Sequence, residues 1–330
     1  MKFPRRKFLH LAAGAAALFA LTNTTLAQDW PTRPVTLVVP FAAGGPNDVV
    51  ARILAPRVSE ILGQPVIIEN VAGAGGMTGA LRVARAAPDG YQFVLGNSGT
   101  HAQNQSLYKR PLYNAATDFA PVALVNGGSA VLVTRKDFPA NTLADFIAYV
   151  KANQAKLQYG SAGAGAPTHI TCVLLNFLIG VNLTHVPYRG AGPAMQDLMG
   201  GRIDYMCDSI STSLAQIEGG TIKPIAMLTL HRSPVLPGLA TAHEQGLTGF
   251  DADAWNAFFL PKGTPAPIVR RLAKATSEAL DTPAVAQRLL QLGLRVQPPE
   301  QRTPEYLAKF VPAEIEKWAG PIKASGVSMD

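Results

Sequence analysis

Three stretches carry residues whose types and spacing could do chemistry. They are Phe41-Ala42-Ala43-Gly44-Gly45-Pro46-Asn47-Asp48, Gly96-Asn97-Ser98-Gly99-Thr100, and Gly160-Ser161-Ala162-Gly163-Ala164-Gly165-Ala166-Pro167-Thr168-His169. In the first, the apolar run Val35 to Val39 ends in Gly44 and Gly45, after which Val49, Val50, Ile53, Leu54, Val58, Ile61 and Leu62 recur at helical spacing. The glycines therefore sit where a buried parallel strand hands over to a helix. N–H groups left free at a helix start can face an anion, and in open α/β sheets this junction is where small ligands bind. The Gly160–His169 stretch repeats the logic, with three glycines able to bend round a ligand and Pro167 suited to a first helical turn. Ser98 and Thr100 follow a further strand, and their hydroxyls either cap a helix or face the same crevice.

Covalent and metal chemistry find less support. No G-x-S-x-G is present: Thr100 replaces the last glycine after Ser98, and Tyr159 stands two places before Ser161. His101, His169, His185, His231 and His243 form no H-E-x-x-H or i, i+4 pair, so no metal site is expected. Gly73 and Gly75 begin a dinucleotide-like loop, but its third glycine would fall at Thr78, so no cofactor is expected. Asp204 and Asp208 share a side of an inferred strand, where either would cap or pair. An exported hydrolase using Ser98 or Ser161 stays as the alternative, because triads assemble from distant residues.

The elements that must position these loops need more than one core. A chain of 330 residues with alternating strand and helix patterns reads as two α/β lobes. The run Phe119 to Thr134, split at Asn126-Gly127-Gly128-Ser129, reads as one crossing between lobes, and Lys223 to Leu230 as the return. Expected boundaries are 28–126 plus 250–330 for lobe 1 and 127–249 for lobe 2, with hinge crossings near 122–134 and 223–230. Helices are expected over Pro267–Leu280, Pro283–Leu292 and Pro304–Trp318.

The net charge of +7 is concentrated at the N-terminus. Without Lys2, Arg5, Arg6 and Lys7, 25 Lys+Arg stand against 22 Asp+Glu, and no basic run remains to track a nucleic acid. Arg5-Arg6-Lys7-Phe8-Leu9, the apolar run Leu11–Leu21 and Thr25-Leu26-Ala27 resemble a twin-arginine export signal over residues 1–27, with a Sec route or an anchor as alternatives. The expected location is the periplasm. In such an oxidising compartment, Cys172 and Cys207 form either a disulfide or a pair of buried thiols, the bridge being favoured.

VPFAAGGPND, GSAGAGAPTH, HVPYRGAGPAMQDLMGGRID and FFLPKGTPAPIVRRL, in that order, closely resemble the Bug family of periplasmic solute-binding proteins. These are the extracytoplasmic components of tripartite tricarboxylate transporters. The resemblance covers essentially the whole chain after the export signal. It implies two doubly wound α/β lobes joined by crossing strands, closing like a flytrap on a small, usually carboxylate-bearing metabolite held by backbone amides and water.

Carried over, the ligand loops are Phe41, Ala42, Ala43, Gly44, Gly45 and Asp48 on one side. On the other are Ser161, Ala162, Gly163, Gly165, Ala166 and His169. Ser98 and Thr100 stand at the rim, with Tyr188, Arg189 and Asp208 as further contacts. Two departures matter: Ala43 stands where many relatives have proline, and Ala166 where they have serine. The lost hydroxyl favours an acid less oxygenated than citrate. The expected partners are a small organic acid and membrane permease subunits, the expected state a monomer, and the expected role transport; sensing or scavenging without a permease is a variant. A regulator's effector lobes are disfavoured, because an export signal and no helix-turn-helix precedes the lobes.

Overall fold

The computed structural model describes residues 30–330, so the export signal expected over residues 1–27 lies outside the described residues. Strand β1 (Val35–Val39) is almost wholly buried and pairs in parallel with β2 (Val66–Asn70) and β3 (Gln92–Asn97). β4 (Phe119–Gly128), β10 (Ala254–Pro261) and β11 (Leu294–Val296) complete a first sheet ordered β11-β4-β10-β3-β1-β2. The second sheet, β7-β6-β8-β5-β9, holds β5 (Ala130–Arg135), β6 (Gln158–Ser161), β7 (Thr184–Pro187), β8 (Tyr205–Ser209) and β9 (Ile222–Met227). The two strands that enter a sheet from the other one, β5 and β10, each lie antiparallel to both neighbours. Elsewhere helices return the chain to parallel strands, the pattern of an α/β protein.

The crossings differ in form. β4 runs into β5 with only Ser129 between them, so the break expected at residues 126–129 is a nearly continuous extended chain and residue 127 still belongs to the first sheet. The return expected at 223–230 lies later. Residues 222–227 form an edge strand paired with β5, and the chain continues through 228–253 before joining the first sheet at Ala254. The run reads as a crossing only because an edge strand and a crossing strand share the same apolar composition.

Ten α-helices occur among the described residues: α1 (Pro46–Leu62), α2 (Met77–Ala84), α3 (Asn104–Leu107), α4 (Leu143–Ala152), α5 (Pro167–Ile179), α6 (Ala191–Met199), α7 (Ile210–Glu218), α8 (Ala266–Asp281), α9 (Pro283–Gln291) and α10 (Pro304–Ala324). α1 and α5 are built alike. Each has an extended residue before a proline at the first helical position, where the missing N–H costs nothing, and each stops at a glycine in the left-handed region, Gly63 or Gly180. α10 runs past its expected end at Trp318. Its buried stripe Leu307, Val311, Glu314, Trp318 and Ile322 keeps helical spacing through Pro312 and Pro321, and packing of that stripe outweighs the backbone bonds the prolines remove.

Alternation along β1 divides the first core. Leu37 packs with Leu54, Leu272 and Leu289 from α1, α8 and α9, while Val38 packs in the opposite cluster with Met77, Leu124, Phe259 and Trp318. The latter cluster continues into the second lobe through Leu132, Phe138, Tyr205 and Cys207. Cys172 of α5 is bonded to Cys207 of β8, with Cα atoms 5.4 Å apart, fastening helix to sheet.

Candidate ligand-binding cleft

A cleft lies between the two sheets, with the crossing strands as its floor. Gly45, Pro46 and Asn47 come from the start of α1, Asn97 from the end of β3, and Gly128, Ser129 and Ala130 from the crossing. Ala162, Pro167, Thr168 and Thr171 come from the start of α5, and Cys207, Asp208 and Ser209 from the end of β8, before α7. Trp255 and Asn256 of β10, with Phe41 and Ala191, also line it. The first turns of α1 and α5, and Ser209 at the head of α7, thus meet at one cavity. Each helix start carries the positive end of a helix dipole, and the first N–H of α7, on Ile210, is already bonded to the Ser129 carbonyl at 3.0 Å. No Lys, Arg or His is among the described residues that line it. Such a site can hold a carboxylate without a cationic side chain.

The two lobes touch over this cleft. Phe41 of the first packs with Ala162, Ala166 and Ala191 of the second, and the Ala42 N–H donates to the Arg189 carbonyl at 3.3 Å. Gly75, at φ +61°, lies so close to the second lobe that a Cβ there would stand 2.6 Å from the Ala164 carbonyl oxygen. The fit allows no side chain.

Of the expected site residues, Phe41, Gly45, Ala162 and Asp208 line the cleft. The remaining ones lie outside its lining. Most of the main-chain donors of the two loops, expected to face a ligand, have partners within the protein. Gly44 N–H donates to Asp48 at 3.0 Å, Ala162 N–H to Thr168 Oγ1 at 2.8 Å, Gly163 N–H to Ser161 Oγ at 3.1 Å and Gly165 N–H to His169 Nδ1 at 3.2 Å. Ala166 N–H donates to the Gly163 carbonyl, and Ala43 lies exposed. Loops this tightly turned satisfy their buried donors internally, leaving the helix starts as the available ones.

Asp48 faces its own loop: it accepts from Gly44 N–H, Arg52 Nε at 2.8 Å and Asn70 Nδ2 at 3.0 Å. Burial disfavours its charge, but the bonds from Arg52, Gly44 and Asn70 together prevail and hold the carboxyl below its ordinary pKa. Thr100 Oγ1 bonds Asn97 N–H and His101 Nδ1, both at 2.9 Å, closing a turn outside the cleft. Ser98 is buried with its Oγ unpartnered, also away from the cleft lining. Tyr188 donates its hydroxyl to Asp197 at 2.7 Å, and Arg189 is exposed, contributing its carbonyl alone. Asp204 pairs with Arg135 at 3.0 Å and accepts from Gln158 N–H.

Ser161 Oγ lies 2.7 Å from His185 Nε2, a spacing that suits a nucleophile and its base. Neither lines the cleft, and His185 stacks on His169 with ring centres 4.1 Å apart. Burial drives both imidazoles towards the neutral form, His169 to about 3 with a contribution from His185, and His185 to about 4.

Sequence reasoning missed Asn47, Asn97, Ser129, Thr168, Thr171, Ser209, Trp255 and Asn256 as cleft residues. Asn47 and Thr168 had a readable signal: each directly follows the proline that opens its helix. Asn47 accepts from Asn97 Nδ2 at 3.1 Å and donates to the Leu95 carbonyl at 3.2 Å, pinning α1 to β3. Asn256 donates to Asn126 Oδ1 at 3.1 Å, bonding β10 to β4 beside the crossing.

Asp208 is the one carboxylic residue among the described residues of the lining. It is fully buried, its Oδ2 accepting from Thr212 Oγ1 at 2.6 Å and Ser213 Oγ at 2.9 Å on α7. Burial raises its pKa, and these hydroxyls together with the nearby Ser209 backbone N–H only partly oppose the shift.

The profile of the family described as tripartite tricarboxylate transporter family receptor matches residues 50–327. Among solved structures, periplasmic binding protein BugD is 42% identical with a TM-score of 0.89, covering 91% of this chain and 100% of its own. MatC from Rhodopseudomonas palustris, with bound malate, is 44% identical with a TM-score of 0.87, covering 89% of this chain and 100% of its own. Rpa4515 from R. palustris, with adipate, is 35% identical with a TM-score of 0.86, covering 91% and 99%.

Proposed function

The chain belongs to the tripartite tricarboxylate transporter receptor family of periplasmic solute-binding proteins, and from that premise we propose that it captures a small organic acid in the cleft between its lobes. The observation that carries this reading is the convergence of the starts of α1 and α5, and of Ser209 at the head of α7, on a cavity with no cationic side chain among the described residues. Helix ends compensate a carboxylate while leaving it free to depart, which suits a carrier that must release its cargo. That similar proteins hold malate and adipate supports an acid with few carboxylates. Residues 1–27 direct export in this reading, the mature chain acts as a monomer, and permease subunits in the membrane take the ligand from it.

A thermal-shift screen of mono-, di- and tricarboxylates on the mature protein tests the reading, since a bound ligand raises apparent stability by mass action. At least one small acid should raise the unfolding midpoint in a concentration-dependent way. A screen in which uncharged sugars and amines shift it and no carboxylate does would overturn the assignment.

A further inference from the structure

Asp208 stands out in a cleft otherwise suited to an anion. One of its features cannot be explained by holding α7. Thr212 and Ser213 engage Oδ2, but Oδ1 is buried and has no hydrogen-bond partner among the described residues. A buried carboxylate oxygen left unpaired is costly, and native structures keep such atoms mainly where something else supplies the donor. Among the described residues the lining offers no cation for it; its members from the facing lobe include Gly45, Pro46, Asn47, Asn97, Trp255 and Asn256. Asn47 is committed to Asn97 and Leu95, Asn256 to Asn126, and the Trp255 indole N–H to Glu314 at 2.8 Å. A plain carboxylate brought into this cavity gives an ionised Asp208 no hydrogen-bond donor.

We propose that Asp208 is a specificity-determining residue: its Oδ1 accepts a hydrogen bond from a hydroxyl or ammonium group carried by the bound acid. This rests on the reading of the cleft as a carboxylate receptor and adds the second group the ligand must bear. The helix starts hold the ligand's carboxylate, and Asp208 selects acids with a donor over those without one. A hydroxyl and an ammonium satisfy Oδ1 equally in geometry but differ in charge, so the conservative variant separates them. In Asp208→Asn an amide oxygen can still accept, the Thr212 and Ser213 hydroxyls turning to accept from its NH2, whereas the negative charge is gone.

The test is calorimetric titration of the mature protein with succinate, hydroxysuccinate and aminosuccinate. The wild type should bind one of the donor-bearing acids about tenfold or more tightly than succinate, the effect of one hydrogen bond to a charged acceptor. Asp208→Ala should abolish that preference, weakening the donor-bearing acid relative to succinate about tenfold or more. Asp208→Asn should keep the preference if the donor is hydroxyl and lose it if the donor is ammonium. Equal wild-type affinities for all three acids overturn the proposal, as does a preference unchanged in Asp208→Ala; should that variant not fold, the wild-type comparison decides. Acids that bind without preference sink this inference alone. If no carboxylate in the wider screen binds at all, the receptor reading falls with it.

Discussion

Between the lobes the N–H of Ala42 donates to the carbonyl of Arg189 at 3.3 Å, so main chain from one lobe bonds main chain from the other. The bond forms beside Phe41, which packs on Ala162, Ala166 and Ala191, and beside Gly190, where a Cβ would lie 2.9 Å from that of Ala42. Closure therefore depends on small residues on the second lobe as much as on the glycines of the first.

Gly190→Ala tests that dependence. Gly190 has φ 172°, extended backbone open to any residue, so the added methyl acts through the contact with Ala42 and not through strain. Overpacking of this kind costs about 1–3 kcal/mol. Ligand affinity should fall about tenfold in titration while the urea midpoint of the ligand-free protein changes little. Unchanged affinity would show that the ligand is held without this approach of the lobes.

Asp48→Ala should cost about 2–3 kcal/mol in urea unfolding, because Gly44 N–H and Asn70 Nδ2 lose their acceptor in a largely buried place. Arg52→Ala removes only the partner that is itself half-exposed and should cost under about 1 kcal/mol. The Asp48 carboxyl is lowered in the folded state, so its contribution is present above the unfolded pKa of about 3.9 and is lost as pH falls through the lower folded value. The gap between wild type and Asp48→Asn should narrow accordingly below pH 4.

The Cys172–Cys207 bridge closes a loop of 34 intervening residues between α5 and β8. Replacing both cysteines by alanine should lower stability by about 3–4 kcal/mol through the unfolded chain's regained freedom. Urea melts of the double variant and of reduced wild type should agree. A double variant as stable as the oxidised protein would show that helix-to-sheet packing alone suffices.

His169 and His185 are held neutral by burial, at about 3 and about 4, and His101 by burial at about 3. Their folded pKa values lie below the unfolded value of about 6.5, so the unfolded chain binds more protons between these limits. Stability should therefore decline as pH falls below 6.5, by up to about 2 kcal/mol per histidine at pH 5, and stop declining on their account below the folded values. His185→Gln should flatten part of that slope in midpoints measured from pH 7 to 5. An unaltered slope would assign the titration to other groups.

The strand-to-helix junctions were legible because they rest on local rules. An apolar run, glycines, then a proline and a helical stripe specify β1 to α1 and β6 to α5 whatever surrounds them. The pairing of cysteines was legible as one of two options, since spacing alone cannot bring side chains within bonding distance. The return crossing was misplaced because β9 and a crossing strand have the same composition, and only sheet pairing separates them.

Sequence by itself determined that two glycine-turned helix starts exist, that the chain has two α/β lobes, and which family it resembles, because backbone propensity and motif order are properties of neighbouring residues. Tertiary structure decided which groups face the ligand. Hydrogen bonds saturate: once Asp48, Thr168, Ser161 and His169 have taken the loop N–H groups, those groups are no longer available to a ligand, and no reading of spacing reveals which partner a donor has already found. It likewise took the meeting of β8, α7 and the first lobe to leave one oxygen of Asp208 buried without a partner.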